Sequence, residues 1–132
     1  MRNVSGLFLT ASALAFGVYG LAQQNVRQPE TAIRGWLSDE GCARGRAESG
    51  TFTATNPRCA KECVAKGKKI VLIDPDRKMI FEIANQNLAR KNIGDYVEII
   101  GQMDLPAKAV RIAALKMVTR GTASCERPKL SD

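Results

Sequence analysis

Apolar and polar positions alternate along most of the chain between residues 32 and 118, and one helical stretch interrupts that two-residue period. In AIRGWLS, Ile33, Gly35 and Leu37 share a parity, which predicts a first strand over 32–38. DEGCARGRAESGTFTATNP follows, rich in Gly, Ser and Thr, and is expected to be a long loop. Asn56 and Pro57 then mark a helix start. Asparagine is a favourable N-cap, and proline suits the first helical position, where its missing N–H would have had no partner. Gly67 can take the left-handed conformation that ends a helix, so the helix is expected over 57–66. At about 100° per residue, Ala60, Cys63, Val64 and Gly67 fall on one stripe, and Arg58, Lys61, Glu62 and Lys66 face elsewhere.

KIVLI is an apolar run that fits a buried strand, and DPDR has turn chemistry with Pro75 fixing φ at its second position. KMIFEIA returns with Met79, Phe81 and Ile83 on one face, which completes a hairpin. NQNLARKNIGD is polar and has room for one helical turn before Gly94. YVEIIGQMD alternates again, with Val97, Ile99, Gly101 and Met103 inward. In KAVRIAALKMV the alternation changes phase between Ile112 and Leu115, which calls for a bulge near Ala113–Ala114. The expected architecture is mainly β: a small five-stranded OB-like barrel over 32–119 with one α-helix between the first two strands. Val97, Ile99, Phe81, Leu72 and Ile112 are expected to share its core.

The first 22 residues have the form of a secretory signal peptide. A basic end is followed by an uncharged apolar stretch, and Gly20 and Ala22 place small residues before a cleavage point at Gln23. Removing 1–22 from the 132-residue chain leaves 110, enough for one modest core. Residues 23–31 read as a flexible leader and 120–132 as a polar tail. No later apolar run reaches membrane length, so the expected location is periplasmic or secreted. Four cysteines in an oxidising compartment favour disulfides.

GWLSDEGC, CAKECVAKGKKIVLID, GDYVEIIGQMD and the closing IAALKMV together resemble a family of small exported bacterial proteins of unknown function. The likeness spans residues 33–118. It implies the barrel-like fold and a grouping of Cys42, Cys59 and Cys63, and carries no activity with it. That family often has a histidine after the first cysteine, at the position held here by Arg46.

The chain contains no histidine. A zinc centre normally draws its ligands from Cys and His, so neither a metal nor another cofactor is expected. Histidine is also missing as a general base, and Asp39, Glu40, Asp74, Asp76, Asp95 and Glu98 are expected in turns or on solvent faces; no catalytic residue is assigned. A bridge between Cys59 and Cys63 within one helix is geometrically poor. The expected pair is Cys42–Cys63, with Cys125 the candidate partner of Cys59 and Cys42–Cys59 the rival pairing. Thiol-redox chemistry by Cys59 and Cys63, or an enzyme site not visible in sequence, are the alternatives to a non-catalytic binding role. The net charge is +7. Most of the excess lies between Cys42 and Lys69, where Arg44, Arg46, Arg58, Lys61, Lys66, Lys68 and Lys69 face only Glu48 and Glu62. Export argues against nucleic acid as partner. Arg44, Arg46, Arg58 and Lys61 around the helix start are the candidates for holding an anionic envelope polymer or small anion.

Overall fold

The computed structural model describes residues 29–122; the expected signal peptide, most of the expected leader, and residues 123–132 of the expected tail with Cys125 lie outside them. Five strands, β1 (Thr31–Asp39), β2 (Ile70–Asp74), β3 (Met79–Ile83), β4 (Tyr96–Asp104) and β5 (Ala109–Thr119), form one sheet that closes in a ring. The order around the ring is β1-β2-β3-β5-β4, and every pairing is antiparallel except β3 with β5.

β1 makes closure possible by changing partners along its length. Thr31–Trp36 pairs with β4, and Trp36–Asp39 pairs with β2. The seam between β3 and β5 is short, with only Glu82↔Ala109 and Ile83↔Val110 in register. A side-chain amide extends it. Asn85 donates to the Ile112 carbonyl at 2.8 Å and accepts from the Ile112 N–H at 2.9 Å. On the other side of β3, Gln86 does the same for Ile70 of β2, accepting from its N–H at 2.6 Å and donating to its carbonyl at 2.9 Å. Each amide stands in for a strand backbone at a place where buried peptide groups would otherwise lack partners.

The expected bulge is present: Gly101 pairs with Ile112 and Ile100 with Ala114, so Ala113 is skipped. The short helical segment before Gly94 is also present, as two 3₁₀ turns, Gln86–Leu88 and Arg90–Asn92.

The stretch expected to be one long loop contains a helix. α1 (Glu40–Glu48) follows β1 directly, and α2 (Pro57–Ala65) is the helix signalled by Asn56 and Pro57. Two helices therefore separate the first two strands instead of one. α1 was obscured by Gly41 and Gly45, which lower helix propensity, and by its lack of an apolar stripe. Its ends are nevertheless well formed. Asp39 caps the N-terminus, Glu40 and Arg46 complement the dipole, and Gly50 leaves the helix with φ +77°.

The ring encloses Ile33, Leu37, Ile70, Leu72, Phe81, Ile83, Val97, Ile99, Val110 and Ile112, joined by Ala60 and Val64 of α2. Val97, Ile99, Phe81, Leu72 and Ile112 thus share one core, as expected. A second cluster lies on the opposite face of β2, where Val71 and Ile73 pack with Ala43 of α1 against Trp36, Phe52 and Ile80. Both faces of β2 are therefore covered, which explains why its five residues are all buried and show no alternation. No helix among the described residues is long and apolar enough to cross a membrane.

Candidate functional site

Two places stand out among the described residues. The first is the junction of β1, α1 and α2. Asp39 ends β1 and caps α1, its Oδ2 accepting from the Cys42 N–H at 3.0 Å. One residue earlier, the buried Ser38 hydroxyl hydrogen-bonds Thr55, which ties β1 to the segment leading into α2. α2 is thereby held so that Cys63, next to the buried Val64, faces Cys42. A carboxylate oxygen of Asp39 and the sulfurs of Cys42 and Cys63 all lie within 4.8 Å of one another. Cys42 and Cys63 are half-buried free thiols, and Asp39 is 1% exposed.

The expected neighbours Cys42 and Cys63 are thus brought together. Cys59 is exposed on the outer side of α2 and takes no part in the cluster. Asp39, expected in a turn or on a solvent face, is instead buried at the end of β1; Asp74 sits at its expected turn, accepting from the Asp76 and Arg77 N–H groups, and is buried as well. The signal for Asp39 was present: an aspartate closing a strand, three residues before a cysteine, in an N-cap position.

Burial pushes the Cys42 thiol up from its ordinary 9.0 to about 12, with the Asp39 carboxylate and the Cys63 sulfur adding to the effect. The folded chain therefore keeps this proton where the unfolded chain releases it. Stability from this source is complete below pH 9 and is lost as pH rises toward 12. A thiol alkylates only as thiolate. Of the three described cysteines, limiting iodoacetamide at neutral pH should label Cys59 first and Cys42 last in the reduced protein, read by peptide mass mapping over time. Faster labelling of Cys42 would show that its surroundings are wet and permissive.

The second place is a groove of about 460 Å³ on the outer face of the sheet. Arg44 and Ala47 of α1 line one side, Phe52, Val71, Ile80 and Glu82 line the floor, and Lys78 and Lys108 border it from the β2–β3 and β4–β5 turns. The two turns are built alike. Asp74 Oδ1 accepts from the Arg77 N–H at 3.0 Å, and Asp104 Oδ1 accepts from the Ala107 N–H at 2.9 Å. Each turn closes on a lysine in the left-handed region, Lys78 at φ 51° and Lys108 at φ 50°. These are the only non-glycine residues with positive φ among those described. Glu82, the one acid lining the groove, accepts from Lys69 Nζ at 2.8 Å, a contact that holds the Lys69 ammonium above its ordinary pKa.

Of the four basic residues singled out in the sequence, only Arg44 lines this groove. Arg46 donates to Thr53 at 2.9 Å, and Arg58 pairs with Glu62 at 3.4 Å. Lys61 lies exposed on α2. The amides at the start of α2 are already engaged, since Asn56 Oδ1 accepts from both Arg58 and Cys59. The basic character of the surface is therefore divided between two helices, and its convergence is with turn lysines that the sequence pattern did not connect to it.

Comparison with protein-family models, with curated proteins and with solved structures finds no match for this chain.

Proposed function

We propose that the chain is an exported, non-catalytic binding domain with an OB-like barrel. It takes an anionic ligand, a small anion or a segment of an anionic envelope polymer, in the groove between α1 and the two hairpin turns. The observation that carries this reading is the pair of left-handed lysines. A residue with a side chain costs about 1 kcal/mol more than glycine in that conformation, and glycine is the usual occupant. Here both turns place a lysine there, and both lysines border the same groove. Arg44 supplies a guanidinium from the third side, and the neighbouring Glu82 charge is offset by Lys69.

The strand order supports the same site. In OB-folds the face of the second and third strands, together with the loop joining the last two, is where extended ligands lie. That is where this groove sits. Phe52, Val71 and Ile80 give it an apolar floor, so a ligand with both anionic groups and a carbon skeleton suits it better than a bare ion.

The test separates binding from folding. In Lys78→Gly/Lys108→Gly the backbone strain is relieved, so each change should raise stability by about 0.5–1 kcal/mol. The same double variant, and Arg44→Ala, should weaken binding of a polyuronate or of inorganic phosphate by about tenfold or more at low salt, and wild-type binding should itself weaken at physiological salt through screening. A stabilised double variant that binds as tightly as wild type would rule out this groove. Export is checked separately by intact mass, which should correspond to loss of residues 1–22.

A further inference from the structure

We infer that Asp39, Cys42 and Cys63 form a binding site for a thiophilic divalent cation of the Zn²⁺ class, with a fourth coordination position open to water or an exogenous ligand. Three observations converge. The candidate donor atoms, two sulfurs and a carboxylate oxygen, lie within 4.8 Å of one another. Asp39 is 1% exposed, yet its Oδ1 has no hydrogen-bond partner while Oδ2 is fixed by the Cys42 N–H. And the two cysteines are free and half-buried, open enough for an ion to enter.

The orphaned oxygen decides between the uses these sulfurs could have. A disulfide between Cys42 and Cys63 would consume both thiols and leave a buried carboxylate oxygen without a partner beside an apolar bridge. A buried polar oxygen left without a partner costs the desolvation that a hydrogen bond or a bound ion would repay. A cation answers all three groups at once. Zinc accepts thiolate and carboxylate ligands at about 2.3 Å and about 2.0–2.2 Å in tetrahedral geometry. That places ligand atoms about 3.5–3.8 Å apart, so closing from 4.8 Å asks for movements of about 1 Å, within reach of small side-chain rotations. Coordination releases the two thiol protons to solvent and joins β1, α1 and α2 through one ion. The Cys42 N–H bond to Asp39 then acts as an orienting contact for a ligating carboxylate. The absence of histidine, which pointed away from a metal in the sequence, loses its force once a buried aspartate is counted as the third ligand.

The full chain, purified without oxygen and stripped by chelation, is titrated with Co²⁺ and then with Zn²⁺ in competition. Expected is a thiolate-to-cobalt charge-transfer band with tetrahedral d–d absorption that saturates at one equivalent and is displaced by zinc. Cys42→Ser and Cys63→Ser should each lose the charge-transfer band or reduce it to that of a single thiolate. Asp39→Asn keeps the helix cap, because asparagine caps as well as aspartate, and should bind at least about tenfold more weakly. Cys59→Ser should match wild type. Zinc should raise the melting temperature of wild type and of Cys59→Ser but not of the two ligand-cysteine variants. If a serine variant does not fold, Asp39→Asn and Cys59→Ser still decide the matter. Failure to reach one-to-one saturation, wild-type affinity in Asp39→Asn, or a Cys42–Cys63 bridge in peptides from cells alkylated before lysis would overturn the site.

Discussion

Ile99→Asp should not yield a folded domain. Ile99 is 0% exposed and points into the ring from the middle of β4, opposite Ile33 on one side and Leu115 on the other. The substitution removes an aliphatic side chain, a loss of about 2–5 kcal/mol for truncations of this kind, and introduces a carboxylate into a site enclosed by Leu37, Phe81, Val97 and Ile112. The buried polar and charged residues described are Ser38, Asp39, Thr55 and Asp74, and none is a cation that could receive the charge. A lone buried charge adds several kcal/mol more, and a domain of this size has a total stability of about 5–10 kcal/mol. Ile100→Asp is the paired control. Ile100 is the next residue of the same strand, half-buried on the outer face, and its substitution should leave a cooperative fold. Far-UV circular dichroism and thermal melting read both. A cooperative melt of Ile99→Asp near the wild-type midpoint would mean that the inward and outward parities of β4 are reversed.

That control also shows why the strands were legible from sequence while other parts of the fold were not. Burying one face of a strand forces a two-residue period, so β1, β3 and β4 declare themselves by alternation. Even the bulge near Ala113–Ala114 is readable, because Ile112 and Leu115 both need the inward side; the second shift, which skips Val118, has no such mark. α2 is marked at both ends by Asn56–Pro57 and Gly67. α1 carries no comparable mark. It packs through one fully buried residue, Ala43, onto the outside of β2, so burial imposes almost no pattern on the other positions. Its cap, Asp39, looks like any turn aspartate until the arrival of α2 covers it.

The same limit applies to Asn85, Gln86, Lys78 and Lys108. Their roles depend on which distant backbone lies beside them, and no local period encodes that. The proximity of Cys42 and Cys63 follows from chain direction, because a rigid helix and a paired strand leave few routes between them, but they stand as free thiols and not as the expected bridge. The groove has no comparable mark, because it needs two turns separated by about thirty residues in sequence, which meet only where the short parallel β3–β5 seam sets them side by side.

Gly35→Ala should cost roughly 3 kcal/mol, at the upper end for a small-to-large change in a packed interior. An added Cβ would lie 2.2 Å from the Ile73 carbonyl oxygen and 3.0 Å from a methyl of Leu72. The first of these is backbone, so rotating a side chain cannot relieve it. The reason for the tight approach is the change of partner along β1. Gly35 sits opposite Val97 of β4, and the next residue, Trp36, already pairs with Ile73 of β2. The strand must bend there for the sheet to close, and the carbonyl of β2 leans over the position where a side chain would be. Gly101 occupies the matching place on β4, beside the bulge, with an added Cβ 2.1 Å from the Arg111 carbonyl; its alanine variant should lose a similar amount. Gly45→Ala provides the opposite expectation. Nothing lies within 4 Å of its added Cβ, and it sits inside α1, so helix propensity alone should stabilise the domain by about 0.5–1 kcal/mol. Urea unfolding of the three variants against wild type measures the difference. The expected order of midpoints is Gly45→Ala above wild type, with Gly35→Ala and Gly101→Ala both well below. A Gly35→Ala midpoint equal to that of wild type would show that β1 does not carry the bend, and that the ring closes by curvature spread over the whole strand.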